Sequence, residues 1–200
     1  MTDLVRSFNS VENPFFIESQ EEGIELEKLR YRGRGESVYS DGRQVLVRSC
    51  HDALVSCNNP DGKRGILLIR RISEPANGYL WPLGGFFDRG VPTDESLASR
   101  IKNESGLVID EDSYIVLGHI RALWKTTPNK DAEARGLPSG IDDTGLLFYV
   151  NGSGNLNLDK LHDRPRIVTP EMYTHELKSE LHTYVRKGMD RAIPLLYQTR

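Results

Sequence analysis

A pair of glycines followed by a well-delimited helix constrains the fold of this chain more than any other feature. The segment 84–107 reads GGFFDRGVPTDESLASRIKNESGL. Thr93 is a residue type that caps the start of helices, and Gly106 is one that ends them. Leu97 and Ile101 lie four residues apart, so they share one apolar face. The segment therefore predicts a glycine turn and a helix packed against another layer.

Strand-like segments lie on both sides of this helix. They are QVLVRSCHDALVSC from Gln44, GILLIRRI from Gly65, SYIVLGHIRALW from Ser113 and TGLLFYVNG from Thr144. The first two are separated by the turn signal NPDG at 59–62, which predicts a hairpin. A helical pattern from Glu171 to Tyr197 closes the chain. This order predicts an α/β (α+β) fold with a mixed sheet between helices, not a doubly wound array.

The length of 200 residues suits one hydrophobic core preceded by an arm. Residues 1–43 are polar, so we predict an N-terminal arm or edge element there and a single domain over residues 44–200. The arm holds a short basic cluster in residues 30–34. This cluster is either a solvated loop or a contact for a phosphate or a partner.

Composition argues against several functional classes. Lys and Arg total 26 against 29 Asp and Glu, and no basic stripe follows a strand or helix, so we expect no nucleic-acid partner. No apolar run approaches the roughly 18 residues of a membrane span, and the N-terminal residues lack a signal-peptide pattern. Cys50 and Cys57 form no spaced framework, which predicts a reduced, cytoplasmic setting.

The segment 84–107 resembles the Nudix box, G-x5-E-x7-R-E-U-x-E-E-x-G-U, in which U is apolar. With Gly85 first, Gly106 and Leu107 match the last two fixed positions. Glu104 then matches the last acidic position. The resemblance implies a Nudix-type α/β/α sandwich with a mixed sheet. In such a box the helix presents carboxylates to Mg²⁺, which prefers oxygen ligands and bridges diphosphate oxygens.

Most acidic positions of the box are replaced in this chain. Val91 stands at the early acidic position, Ser99 and Arg100 at the Arg-Glu pair, and Asn103 at the first of the paired glutamates. Glu104 is therefore predicted to carry most of the metal binding. An alternative is that Arg100 and Glu104, one helical turn apart, form a surface salt bridge.

One Nudix branch that lacks most of these acids is GDP-mannose mannosyl hydrolase, which cleaves the glycosidic bond of a nucleotide sugar. Residues 71–85, RISEPANGYLWPLGG, resemble the R-x-x-x-P-A-x-G-Y segment of that family. Residues 161–170, LHDRPRIVTP, resemble its Q-H-D-x-x-R-x-L-T-P segment. The resemblance implies a nucleotide-type substrate, with water attacking the anomeric carbon and a nucleoside diphosphate leaving.

The same resemblance implies roles for individual residues. Arg71 falls where the family has an arginine that neutralises the departing diphosphate, and His162 where a histidine acts as general base. Glu104 and the Gly84 carbonyl match its Mg²⁺ ligands. The predicted catalytic residues are His162, Arg71 and Glu104. The predicted substrate-binding residues are Arg71, Gly84, Gly85, Phe86 and Asp88.

Two departures from the family leave the reaction open. Leu161 replaces a metal-binding glutamine and Phe86 replaces an arginine, so we expect weak Mg²⁺ affinity unless Asp142, Asp143 or Asp88 contributes. Alternatives are a Nudix-like domain that binds a nucleotide or ADP-ribose-type ligand without hydrolysis, and a biosynthetic enzyme with metal-free chemistry. The arm and the C-terminal helix could each support a homodimer.

Overall fold

A computed structural model describes residues 4–10, 16–20, 48–73, 76–124, 134 and 141–198. The strands are β1 (Leu4–Ser10), β2 (Phe16–Gln20), β3 (Arg48–Asn58), β4 (Arg64–Arg71), β5 (Leu80–Trp81), β6 (Leu83–Phe86), β7 (Val108–Ile109), β8 (Ile115–Trp124), β9 (Ile141–Ser153) and β10 (His162–Val168). The helices are α1 (Thr93–Ser105), α2 (Pro170–Met172) with a π turn (Tyr173–Leu177), and α3 (Thr183–Ala192) with a 3₁₀ turn (Ile193–Tyr197). None of the helices in these ranges is long and apolar enough to cross a membrane.

The strands form one mixed sheet in the order β10-β4-β3-β9-β8-β1-β2, with β5, β6 and β7 paired alongside. The parallel strands β3 and β9 are adjacent and in register from Arg48 opposite Asp143. The predicted hairpin of β3 and β4 is confirmed, since the strands are antiparallel and the Gly62 N–H donates to the Asn59 carbonyl at 2.9 Å. β1 and β2, from the predicted arm, lie at one edge of the sheet. The arm boundary itself stays a prediction, and residues 30–34 lie outside the described ranges.

Alternate residues of the strands face two separate hydrophobic cores, one on each side of the sheet. On β4, Ile66 and Leu68 pack in the core that contains α3, whereas Leu67 and its alternate neighbours pack in the core that contains α1. Leu97 and Ile101 of α1 are fully buried in this second core, as their spacing predicts. The predicted α/β/α sandwich with a mixed sheet is therefore confirmed.

Helix α1 begins one residue earlier than its sequence predicts. Thr93 is its first helical residue and not its cap, because Pro92 takes the capping position with an extended ψ of 148°. The Pro92 carbonyl accepts the first helical hydrogen bond, from the Ser96 N–H at 2.9 Å. Gly106 ends the helix as predicted, in the left-handed conformation at φ 77°.

The helix predicted over 171–197 is interrupted. A new helix, α3, begins at Thr183 because the Nδ1 atom of His182 accepts a hydrogen bond from the Tyr184 N–H at 3.2 Å. Histidine is not a usual capping residue, so the pattern did not predict the break. Further along α3, Gly188 lets the helix approach the sheet, since a Cβ atom there would collide with the side chain of Leu147.

Candidate active site

A cavity of about 280 Å³ lies beside the first residues of β3 and β9. Six of the seven predicted site residues line it: Arg71, Gly84, Gly85, Phe86, Glu104 and His162. Asp88 is not part of the lining. The fold thus brings residues from four separate elements into one pocket, although their chemical roles stay predictions.

Gly84 and Gly85, predicted to form a turn, lie instead in strand β6 paired with β3, and together with Glu104 they form one wall of the pocket. Gly84 has φ 150°, and a Cβ atom there would lie 2.5 Å from the Oδ1 atom of Asp52. The Gly84 N–H donates to the Oε2 atom of Glu104 at 3.1 Å. Burial raises the pKa of Glu104 to about 7, against the lowering effect of this hydrogen bond and with a further rise from the charge of Asp52. In this wall of the pocket, the Glu104 carboxyl group is therefore hydrogen-bonded to the backbone of Gly84.

Arg100 does not form the surface salt bridge with Glu104 that the helical spacing allows. Its Nη2 atom donates to the Oδ1 atom of Asp88 at 3.1 Å, and its Nε atom is buried without a hydrogen-bond partner. Asp88 is therefore engaged inside the loop and does not face the pocket as predicted for a substrate-binding residue. The guanidinium of Arg100 lines the pocket instead.

A buried polar network lies beneath the loop of residues 87–92, which joins β6 to α1. Sequence reasoning did not predict this network. The Nε2 atom of His51 lies 2.8 Å from Ser96 Oγ, which donates to Asp88 at 3.0 Å. Phe87 packs on the imidazole at 4.5 Å between ring centroids. Burial lowers the pKa of His51 to about 4, so the ring is neutral. Because the Ser96 hydroxyl donates its proton to Asp88, it accepts the hydrogen bond from the Nε2–H of His51. The network fixes the loop onto the start of α1.

His162 lies beside Arg71 because the two residues are opposite each other on the antiparallel strands β10 and β4. Its Nδ1 atom is 2.6 Å from an oxygen of Asp159, and only 7% of its side chain is exposed. The Nε atom of Arg71 is buried without a hydrogen-bond partner. Sequence reasoning missed Asp159, although the spacing Asp-x-x-His was a visible signal.

Asp52 and Tyr184 form a second pair in the pocket that the sequence did not suggest. The Tyr184 hydroxyl donates to Asp52 at 2.5 Å across 132 positions of sequence. Burial raises the pKa of Asp52 to about 6, against the lowering effects of this hydrogen bond and of the charge on Arg71. Burial also raises the pKa of the Tyr184 hydroxyl. The pair links α3 to the centre of the site.

A bidentate ion pair also lines the pocket. Arg48 donates to both oxygens of Asp143, at 2.5 and 2.6 Å, and the two side chains are 10% and 14% exposed. The guanidinium of Arg48 also lies over the ring of Phe86, 4.4 Å from its centroid. Cys50 is nearby, but burial raises the pKa of its thiol to about 12, so it stays protonated.

The described carboxylates do not fit a Mg²⁺ site of the Nudix type. Asp143 is paired with Arg48, Asp88 with Arg100, and Asp142 with Arg121. Within the described part of the chain, no group of three or more His, Cys, Asp or Glu side chains is arranged to hold a metal ion. Because Mg²⁺ needs several oxygen ligands in octahedral geometry, Glu104 alone would bind it weakly. Mg²⁺ binding stays a prediction.

Solved structures of known proteins share this architecture. A MutT NUDIX hydrolase from Burkholderia pseudomallei is similar with a TM-score of 0.52 and 18% identity, over 73% of this chain and 98% of that chain. A MutT protein from Methanosarcina mazei Go1 is similar with a TM-score of 0.51 and 18% identity, over 76% of this chain and 96% of that chain. This chain has the Nudix fold. Identities of this size establish the Nudix fold and not the reaction.

Sequence comparisons establish no family for this Nudix-fold chain. No family model matches it. The xylose import ATP-binding protein XylG of Photobacterium profundum is 33% identical over 123 residues, which cover 58% of this chain. The chain spans 21% of the length of that protein. The geometry of the pocket is therefore the basis for a functional proposal.

Proposed function

We propose that this chain is a Nudix-fold hydrolase of a nucleoside-diphosphate sugar, in which water attacks the anomeric carbon and a nucleoside diphosphate leaves. The observation that carries the proposal is the convergence of Arg71, Glu104 and the His162–Asp159 pair on one cavity. Arg71, Glu104 and His162 come from β4, α1 and the start of β10, and the family resemblance implies a role in the site for each of these three residues.

The histidine pair supports a general-base role. Asp159 holds Nδ1 of His162, so a neutral imidazole carries its proton on Nδ1 and presents Nε2 as the acceptor. A water molecule within hydrogen-bond reach of Nε2 would lose its proton there as it attacks the sugar carbon. The Asp159 carboxylate would stabilise the imidazolium that forms.

The guanidinium of Arg71 supports the leaving-group role. It lines the cavity, its buried Nε atom has no hydrogen-bond partner, and among the described residues no carboxylate forms an ion pair with it. A fixed guanidinium binds a diphosphate through paired hydrogen bonds and stabilises the charge that develops on it. Arg71 is therefore the residue proposed to neutralise the departing diphosphate.

Product analysis with a panel of nucleotide sugars, including GDP-mannose, tests the proposal. We expect free sugar and nucleoside diphosphate, whereas a sugar phosphate and a nucleoside monophosphate would refute attack at the anomeric carbon. His162→Ala should slow hydrolysis by roughly 10²–10⁴-fold. His175→Ala is the matched control because His175 is exposed and lies outside the pocket lining.

A second candidate function is binding of a nucleotide-type ligand without hydrolysis. It is favoured by one observation, the absence of a metal-binding cluster among the described residues. Calorimetric binding of a nucleotide sugar or ADP-ribose with no product after prolonged incubation would support this function. Turnover that depends on His162 would exclude it.

A further inference from the structure

The cations that line the pocket differ in how far they are neutralised. Arg48 is held by both oxygens of Asp143. Arg100 donates to Asp88 through Nη2, and Arg71 has no ion pair among the described residues. Both Arg71 and Arg100 have a buried Nε atom without a hydrogen-bond partner. A buried charged donor without a partner is costly, so these two atoms indicate a missing acceptor.

Arg100 stands at the position where the Nudix pattern has a glutamate of the Arg-Glu pair. Its side chain lies along the glycines of β6, because a Cβ atom built on Gly85 would be 3.6 Å from both its Nε and its Nη1 atoms. It also lies close enough to Glu104 for its charge to act on that carboxyl. A positive group therefore occupies the wall where the family pattern places a negative one.

We propose that Arg100 supplies from within the protein the positive charge that a divalent ion supplies beside a complete Nudix box, and that it forms with Arg71 a metal-independent clamp for a diphosphate. The identity of the diphosphate as part of a nucleotide sugar rests on the proposed function. The clamp itself needs only a diphosphate group.

The chemistry of the guanidinium fits this role. It keeps its charge at all working pH values, and its planar set of donors matches two phosphate oxygens at once. A cation fixed beside Glu104 also repels a divalent ion that approaches the same carboxylate. The substitution therefore acts in two ways, since it adds a phosphate ligand and weakens the metal site.

Calorimetric titration with inorganic pyrophosphate, in EDTA and in Mg²⁺, tests the clamp. We expect the wild-type protein to bind in EDTA, and Arg100→Gln to weaken this binding by roughly ten- to hundredfold. Lys102→Gln removes the same charge from an exposed position on the same helix and should leave binding unchanged. Arg100→Glu, which restores the acidic residue of the pattern, should lose binding in EDTA and regain it in Mg²⁺.

Wild-type binding that disappears in EDTA would overturn the clamp, as would Arg100→Gln binding as tight as wild type. Arg100→Lys keeps the charge without the planar donors and provides a second variant if the glutamine protein fails to fold. We expect Arg100→Lys to bind pyrophosphate with an affinity between those of wild type and Arg100→Gln. Wild-type affinity of this variant would overturn the bidentate contact. Hydrolysis of a nucleotide sugar that strictly requires Mg²⁺ would overturn the clamp and keep the proposed function. Pyrophosphate binding with the expected Arg100 dependence, but no hydrolysis, would support the clamp and overturn the proposed function.

Discussion

Replacing Glu104 by glutamine removes a charge that destabilises the folded protein. Burial raises the pKa of Glu104 from 4.5 to about 7, so the folded state keeps a proton that the unfolded chain releases in this pH window. The free energy of unfolding therefore falls as the pH rises from 4.5 to about 7. Above this range the contribution of Glu104 to the free energy of unfolding no longer changes with pH. At about 1.36 kcal/mol per pH unit, the interval amounts to about 3 kcal/mol.

Glutamine keeps an oxygen that can accept the Gly84 N–H but cannot ionise. We expect Glu104→Gln to be more stable than wild type by up to about 3 kcal/mol at pH 8, and to differ little at pH 4.5. For a chain of this size the gain corresponds to a rise in Tm of about 6–12 °C. Urea unfolding in EDTA, followed by tryptophan fluorescence at several pH values, measures it.

Glu111→Gln is the matched control, because Glu111 is exposed and should show no such pH-dependent gain. Equal stabilities of wild type and Glu104→Gln at pH 8 would refute the reasoning. That result would mean that the carboxylate is solvated in the folded state and does not lie against Gly84 of β6.

Three other substitutions give distinct expected outcomes. Asp159→Asn should lower kcat for the proposed hydrolysis by roughly tenfold or more and change its pH–rate profile, since His162 loses its orienting partner; an unchanged profile would count against the pair. Gly84→Ala should destabilise the protein by about 1–3 kcal/mol in urea unfolding, because its Cβ atom would collide with the His51 carbonyl. Leu161→Gln, at a position 54% exposed, should leave stability nearly unchanged and tighten Mg²⁺ binding measured by calorimetry; unaltered affinity would show that this position does not face the ion.

The parts of the fold that depend on short sequence intervals could be predicted. Leu97 and Ile101 mark the buried face of α1, Gly106 ends it, and the turn at 59–62 joins β3 to β4. Each of these signals acts within one helical turn or one hairpin. The prediction that Thr93 caps α1 was wrong by one residue, because the fixed φ of Pro92 suits the capping position equally well.

The candidate site could be predicted where a motif marks it and not where distant residues meet. The box and its flanking segments led to Glu104, Arg71 and His162, which share one pocket. Asp52 and Tyr184 are 132 positions apart, and only the packing of α3 on the sheet brings them together. The partner of Arg100 was also missed, because helical spacing favours Glu104 whereas the loop carries Asp88 closer.

The absent side chain of Gly188 has consequences well outside its own helix. Because a Cβ atom there would meet Leu147, a larger residue would push α3 outward and draw the Tyr184 hydroxyl away from Asp52. Gly188 lies outside the pocket lining, yet a substitution there would change the environment of the Asp52 carboxyl inside it. Natural or laboratory selection for a different ligand can therefore act on the packing of α3 against the sheet while every residue that lines the pocket stays the same.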